Sequence, residues 1–187
     1  MALTTLDPRT ALIVIDMQKG IVQLPCAHPM PGVIERVAAI TQAFRKHHAP
    51  VVLVNVAGGA PGRNEQPRRM DELPPDWAEL IPELDAQAAD HRVTKHTWGA
   101  FTGTGLHEHL QQLGVTQVVI VGVATSIGVE STARQAHELG YHVTLATDAM
   151  TDLNADAHAN SVARIFPRLA ETGSTAEVAD LLARTRD

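Results

Sequence analysis

The chain has 187 residues, 44% of them hydrophobic and 19% charged, a balance that supports a buried core and excludes disordered and collagen-like chains. The formal net charge is −6 and the Lys and Arg residues are scattered, which argues against nucleic acid as a partner. No apolar run approaches the roughly 20 residues of a membrane-spanning helix, and residues 1–10 carry no export signal, so we expect a single cytoplasmic domain over residues 1–187 with no membrane partner.

Short apolar runs predict the strands of a sheet. Residues 10–16 form a nearly continuous apolar run that ends on Asp16, which is typical of a strand buried on both faces. A shorter strand is predicted around residues 92–95, with Lys95 near its end. The other predicted strands are residues 51–56, 117–123 and 141–146, with a short additional strand near residues 171–173.

Helical patterns alternate with these strands. Residues 33–48 carry an apolar stripe on one helical face, and Gly114 ends an amphipathic segment. The predicted helices are residues 33–48, 77–84, 104–113, 126–139, 155–166 and 175–183. The alternation predicts a three-layer α/β/α fold with a mainly parallel, doubly wound sheet of five to six strands and right-handed crossovers.

A long loop is predicted at residues 57–76, which are rich in glycine, proline and charge. Loops of this length are more often functional than architectural, and we interpret it as a lid. Arg63, Arg68 and Arg69 could attract an anionic substrate from it, although a solvated charged loop explains them more simply.

Three features fall at the carboxyl edge of the predicted sheet, where ligands bind in such folds. They are Asp16, Lys95 and the turn at residues 124–128. The helix that follows the turn begins with free N–H groups and a partial positive charge, which suit a carboxylate or a developing oxyanion. Spacing alone is explained more simply by an ordinary strand-end aspartate that caps a loop and by a surface lysine.

Three stretches of the chain carry a more specific pattern. ALIVIDMQKG contains Asp16, VTKHTWGAF contains Lys95, and GVATSIGVESTARQAHELGYHVTLATDA spans a strand, a turn, a helix and the next strand. Together they resemble the isochorismatase-like hydrolase superfamily, also called the cysteine hydrolase family, over nearly the whole chain. The resemblance implies a hydrolase without a cofactor, a homo-oligomer of two or more chains, and a cis peptide bond before Ala124.

The turn ATSIG ends in Gly128, where the amidohydrolases of that family carry their nucleophilic cysteine. Glycine has no side chain, so the covalent route through a thioester does not carry over to this position. Isochorismatases resemble this chain here because their turn also ends in Ile-Gly, and they cleave a vinyl ether: an aspartate protonates the enol carbon and water adds to the oxocarbenium ion. Asp16 would need a raised pKa for that role, which burial favours and Lys95 opposes. Isochorismatases differ from this chain at residues 98–101 and 124–126, which indicates a different pocket.

The resemblance therefore implies Asp16 as acid or base, Lys95 as its electrostatic partner and Gly128 as the position of the missing nucleophile. The residues expected to contact substrate are Gln18, Trp98, Phe101, Ala124, Thr125 and Ser126. The expected substrate is a small, anionic or carbonyl-containing molecule. The alternative is a catalytically inactive small-molecule-binding or structural homologue that kept the pocket.

Other reactive side chains have simpler explanations. Cys26 is the single cysteine, so it forms no intrachain disulfide, and its spacing to His28 on an irregular loop fixes no catalytic geometry. His107 and His109 lie two apart on a predicted helix and so point in different directions, and we expect no metal site. Asp148 and Asp152, after the fifth strand, are expected to structure loops.

Overall fold

The computed structural model describes residues 3–65 and 73–186, so Arg68 and Arg69 lie outside the described residues. Six strands form one sheet: β1 (Thr10–Ile15), β2 (Val51–Val56), β3 (His91–Lys95), β4 (Gln117–Val123), β5 (His142–Thr151) and β6 (Glu171–Gly173). Their order is β3-β2-β1-β4-β5-β6, and every neighbouring pair is parallel. The mainly parallel, doubly wound sheet predicted from the sequence is confirmed.

Helices cover both faces of the sheet. They are α1 (Lys19–Val22), α2 (Met30–Lys46), α3 (Leu106–Gln112), α4 (Glu130–Glu138), α5 (Ala155–Asn160) and α6 (Thr175–Arg186). Apolar residues of α2 and α6 pack in the core on one face, and those of α3 and α4 in the core on the other. All residues of β1 and β4 are buried because these central strands are covered from both sides. No helix in the described part of the chain is long and apolar enough to cross a bilayer.

The strand order reverses between β1 and β4. β1 pairs with β2 on one side and with β4 on the other, so the loops that follow β1 and β4 diverge at this point. Such a switch point leaves a crevice outside the carboxyl ends of the strands. Gly122 permits the close approach of the two strands: its φ is +115°, and a Cβ atom there would overlap the backbone carbonyl of Ile15.

Three predicted helices differ from the structure in kind, one of them the helix predicted at residues 155–166, which is α-helical over Ala155–Asn160 and continues as a π-helical turn, Ser161–Ile165. The helix predicted at residues 77–84 is wrong: a turn is followed by a bridge between Leu80 and Gln18 and a short 3₁₀ helix at Pro82–Leu84. Pro82 lacks the N–H that a continuous helix needs there, and the Trp77 carbonyl accepts a hydrogen bond from Gly20 instead.

The third difference is the start of the helix predicted at residues 126–139. A π-helical turn, Thr125–Val129, precedes α4.

Strand β5 is longer than predicted. Ile120 pairs with Leu145, whereas Gly122 pairs with Met150, so the register between β4 and β5 shifts and β5 continues to Thr151. Thr151 then lies beside Val123. The extension brings the residues that follow β5 next to the turn that follows β4.

Candidate active site

Asp16 and Lys95 form a buried ion pair at the carboxyl edge of the sheet. The Lys95 Nζ atom lies 2.8 Å from Asp16 Oδ2, and the two side chains are 2% and 7% exposed. They come from the ends of β1 and β3, which flank β2. The pairing predicted from the sequence is confirmed, and the interpretation of Lys95 as a surface residue is wrong.

Asp16 is held in an unusual conformation. Its φ is 51°, a left-handed value that aspartate tolerates better than most residues. Its backbone N–H donates to Val54, and its carbonyl accepts from Gln18. These bonds fix the point at which the chain leaves β1, and they place the carboxylate beside Lys95.

The two carboxylate oxygens of Asp16 have different surroundings. Oδ2 accepts the hydrogen bond from Lys95, while Oδ1 is buried without a hydrogen-bond partner among the described residues. Burial raises the pKa of Asp16 to about 6, against the opposing effect of the Lys95 charge and its hydrogen bond. A carboxyl group with this pKa changes protonation state close to neutral pH.

All three donor hydrogens of Lys95 have acceptors within the protein. Besides Asp16 Oδ2, Nζ donates to the carbonyl oxygens of Thr97 and Trp98, at 3.2 and 3.0 Å. The ammonium group therefore has no hydrogen left to donate to a ligand, and Asp16 is the carboxylate to which it is bound.

Gly128 faces the same carboxylate from the turn after β4. A Cβ atom at Gly128 would lie 3.2 Å from Asp16 Oδ2 and 2.9 Å from the Ile15 Cγ2 methyl. A side chain at this position would therefore touch Asp16. The peptide bond between Val123 and Ala124 is cis, as the resemblance implies.

Two residues expected to contact substrate, Thr125 and Ser126, have partners within the protein. Asp152 Oδ2 accepts the Ser126 backbone N–H at 2.7 Å and the Ser126 hydroxyl at 2.8 Å. The Thr125 hydroxyl lies 2.8 Å from His158 Nδ1. Ala124, the first residue after β4, is buried, and its carbonyl accepts hydrogen bonds from Ile127 and Val129.

The side-chain amide of Gln18 also forms hydrogen bonds within the protein. Its side chain is fully buried, its amide nitrogen donates to the carbonyls of Val56 and Trp77, and its oxygen accepts the Val56 N–H. These bonds join the end of β2 to the segment around Trp77, and the substrate contact expected of Gln18 stays a prediction.

The two aromatic candidates lie in different environments. The Trp98 side chain is 64% exposed on the loop after β3, two residues beyond His96. Phe101 instead packs against the core cluster that contains Tyr141, with ring centroids 5.9 Å apart. Phe101 remains partly exposed, and the substrate contact expected of it stays a prediction beside the core packing that the sequence also allowed.

Cys26 lies near this edge but is not activated. Burial and the Asp152 charge raise the pKa of its thiol, which disfavours the thiolate. The His28 Nδ1 atom lies 3.0 Å from the Thr151 hydroxyl, so this ring nitrogen is engaged elsewhere. Within residues 3–65 and 73–186, no cluster of His, Cys, Asp and Glu side chains is arranged to hold a metal ion.

Asp148 has the structural role expected from the sequence. It accepts the backbone N–H and the hydroxyl of Thr175 at the start of α6. Asp152 likewise accepts a backbone N–H and a hydroxyl, but its partner is Ser126, in the turn beside Asp16. Asp152 and His158 are the residues at this edge that the sequence analysis did not place near the site, because the predicted strand ended at residue 146.

The comparisons with known proteins agree with this geometry. A family model described as the isochorismatase domain matches residues 10–177. The isochorismatase family protein YwoC of Bacillus subtilis is 40% identical over 176 residues, which cover 90% of this chain and 92% of the relative. YecD of Escherichia coli O157:H7, a protein of the same family, is 38% identical over 92% of this chain and 96% of its own length. A solved structure of an isochorismatase family protein from Burkholderia thailandensis has a TM-score of 0.91 and 39% identity, covering 96% of this chain and 98% of that one.

Proposed function

Because the chain belongs to the isochorismatase family, we propose that it hydrolyses a small molecule at the carboxyl edge of its sheet, with Asp16 as the acid or base. The observation that supports this proposal most directly is the state of Asp16. Its Oδ1 atom is buried with no hydrogen-bond partner in residues 3–65 and 73–186, and its pKa is about 6. Such a group can give or take a proton at neutral pH, as general acid–base catalysis requires.

The proposed reaction uses water directly. Gly128, which faces Asp16, carries no side chain that could attack the substrate and form a covalent intermediate. Cys26, with its raised thiol pKa, is not a substitute nucleophile. The reaction we propose therefore has no thioester step.

Vinyl-ether cleavage is the most specific form of the proposal. Protonated Asp16 transfers its proton to the terminal vinyl carbon, and water adds to the resulting oxocarbenium carbon. The hemiketal then breaks its carbon–oxygen bond, which gives a ketone and an alcohol. Of the two protons that water loses, one ends on the alcohol and one restores Asp16. With a pKa of about 6, about a tenth of Asp16 is protonated at pH 7.

The proposed substrate is a small anionic or carbonyl-containing molecule. The backbone of Trp98 lies at the site, because its carbonyl accepts from Lys95, and the proposal assigns its exposed indole a contact with the substrate. The backbone of residues 124–128 would line the opposite side.

A substrate panel tests the proposal. Isochorismate and simple amides are incubated with the wild type, Asp16→Asn and Asp148→Asn, the last being a control carboxylate whose partners are Thr175 and Arg36. We expect turnover of at least one compound, a loss of about 10²-fold or more in Asp16→Asn, and near-wild-type rates in Asp148→Asn. Thermal stabilisation by a compound without any turnover would instead favour a non-catalytic binding protein.

A further inference from the structure

The turn that faces Asp16 is held from one side by two residues that follow β5. Asp152 is 2% exposed, and its Oδ2 atom accepts both the backbone N–H and the hydroxyl of Ser126. Its Oδ1 atom accepts the backbone N–H of Asn154. A buried carboxylate in this position satisfies an N–H group at the start of a helical segment, where negative charge is favoured.

His158 makes the second contact with the turn. Its Nδ1 atom lies 2.8 Å from the hydroxyl of Thr125, which is fully buried. The ring also meets the His28 ring edge to face, with the centroids 4.5 Å apart. Burial and the neighbouring His28 lower the pKa of His158, against the opposing effect of Asp152, which favours the neutral ring.

The register shift in β5 explains why both contacts exist. Val123 pairs with Thr151, so Ala124 and Asp152 leave the sheet side by side. If β5 ended at the predicted residue 146, the chain would leave the sheet before it came beside Val123 and the turn that follows β4. The register shift thus brings Asp152 to the turn directly, and His158 follows on α5.

We infer that Asp152 and His158 are positioning residues of the candidate active site: they clamp Thr125 and Ser126, and so hold the Gly128 backbone against the Asp16 carboxylate. Neither residue is assigned contact with substrate. The inference rests on the proposed function in one respect: the reaction at the turn is taken to be the proposed hydrolysis. The clamp itself can be measured without a substrate.

Amide hydrogen exchange at Gly128 tests the clamp, and the chain provides a matched control. Asp152→Asn and Asp148→Asn each remove a carboxylate that accepts a backbone N–H and a hydroxyl, but Asp148 holds Thr175 at the start of α6 instead of the turn. After correction for global stability, we expect exchange at Gly128 to be about tenfold faster in Asp152→Asn and within about twofold of wild type in Asp148→Asn. Equal changes in the two variants, or no change in either, would overturn the inference.

His158→Phe and His107→Phe form a second pair. Each removes a ring nitrogen that contacts a hydroxyl, that of Thr125 in one case and that of Tyr141 in the other. We expect faster exchange at Gly128 only in His158→Phe. If Asp152→Asn does not fold, Ser126→Ala removes just the hydroxyl contact, and an unchanged exchange rate in that variant would count against the clamp. Absence of hydrolysis in the substrate panel, combined with the expected exchange pattern, would reject the proposed function and leave the clamp in place.

Discussion

Lys95 Nζ lies 2.8 Å from Asp16 Oδ2, while Asp16 Oδ1 accepts no hydrogen bond from the described residues. The two oxygens of the carboxylate are thus in different environments, one hydrogen-bonded to Lys95 and the other without a hydrogen-bond partner in the described part of the chain. Two opposing effects act on the pKa of Asp16, since burial raises it and Lys95 lowers it. The net value of about 6 shows that burial is the larger effect.

Removing the Lys95 charge should raise the pKa of Asp16 further. In Lys95→Met the burial of Asp16 persists, but the attraction and the hydrogen bond that oppose it are lost. We expect the midpoint of the Asp16 carboxyl titration, followed by ¹³C NMR, to move above its wild-type value by about one unit or more. Lys19→Met, which removes an exposed lysine paired with Asp76 and Glu79, should leave the midpoint unchanged. A lower midpoint in Lys95→Met would contradict this account of the pair.

The Asp16 pKa also predicts how stability depends on pH. The folded pKa of about 6 lies above the ordinary value of 3.8, so folding favours the protonated carboxyl. The contribution is fully present below about pH 4 and is lost as pH rises through 6, by about 3 kcal/mol in total. We expect the free energy of unfolding of wild type minus that of Asp16→Asn, from urea titrations, to fall by about this amount between pH 4 and 7. A difference that grew with pH would show that the pKa of Asp16 is lowered.

The pH dependence of turnover distinguishes the two roles of Asp16. If the carboxyl donates a proton, as in vinyl-ether cleavage, kcat/KM should fall about tenfold per pH unit above a midpoint near 6. If the carboxylate instead accepts a proton, kcat/KM should fall as the pH drops below that midpoint. Lys95→Met should move the midpoint upward in either case, together with the carboxyl titration. A kcat/KM that does not change between pH 5 and 8 would show that Asp16 takes no part in the rate-determining proton transfer.

The pairing of Asp16 and Lys95 was predicted from the positions of both residues at strand ends together with the family resemblance, because parallel strands bring their carboxyl ends to one edge. The strand spacing alone did not decide it, since β3 contains a single apolar residue, Val93. The saturation of Lys95 by the Thr97 and Trp98 carbonyls was not predictable, because it depends on the path of an irregular loop. The length of β5 was missed because an interstrand register shift leaves no period-2 pattern in the sequence.

Gly122 offers a test of the close approach of β1 and β4. Its φ of +115° disfavours any side chain, and a Cβ atom would overlap the Ile15 carbonyl, a backbone group that cannot rotate away. We expect Gly122→Ala to lower the free energy of unfolding by about 3 kcal/mol or more, measured by urea denaturation. Gly59→Ala is the control, since a Cβ there meets no atom within 4 Å. A Gly122→Ala loss no larger than that of Gly59→Ala would show that the strands separate easily.

The last prediction concerns a thiol placed opposite Asp16. Gly128→Cys puts a side chain about 3.2 Å from the Asp16 Oδ2 atom, at the start of the helical segment that leads into α4, and with the Lys95 charge behind the carboxylate. The N–H groups of the segment and the lysine favour the thiolate, while Asp16 can accept the thiol proton. We expect alkylation by iodoacetamide with a midpoint below the roughly 8.5 of an ordinary cysteine.

The alkylation experiment needs controls for the native thiol of Cys26 and for the close contact between the new Cβ atom and Ile15. Cys26→Ser is included in each variant so that the native thiol gives no signal, and Gly59→Cys serves as the exposed reference with open space around it. The Ile15 Cγ2 methyl, 2.9 Å from the new Cβ, must shift by a few tenths of an ångström, so circular dichroism and urea denaturation establish that Gly128→Cys is folded. A folded variant whose thiol reacts more slowly than that of Gly59→Cys at every pH would show that the turn does not face an accessible site. Asp16 would then lose its place beside substrate, and the proposed hydrolysis would lose its principal support.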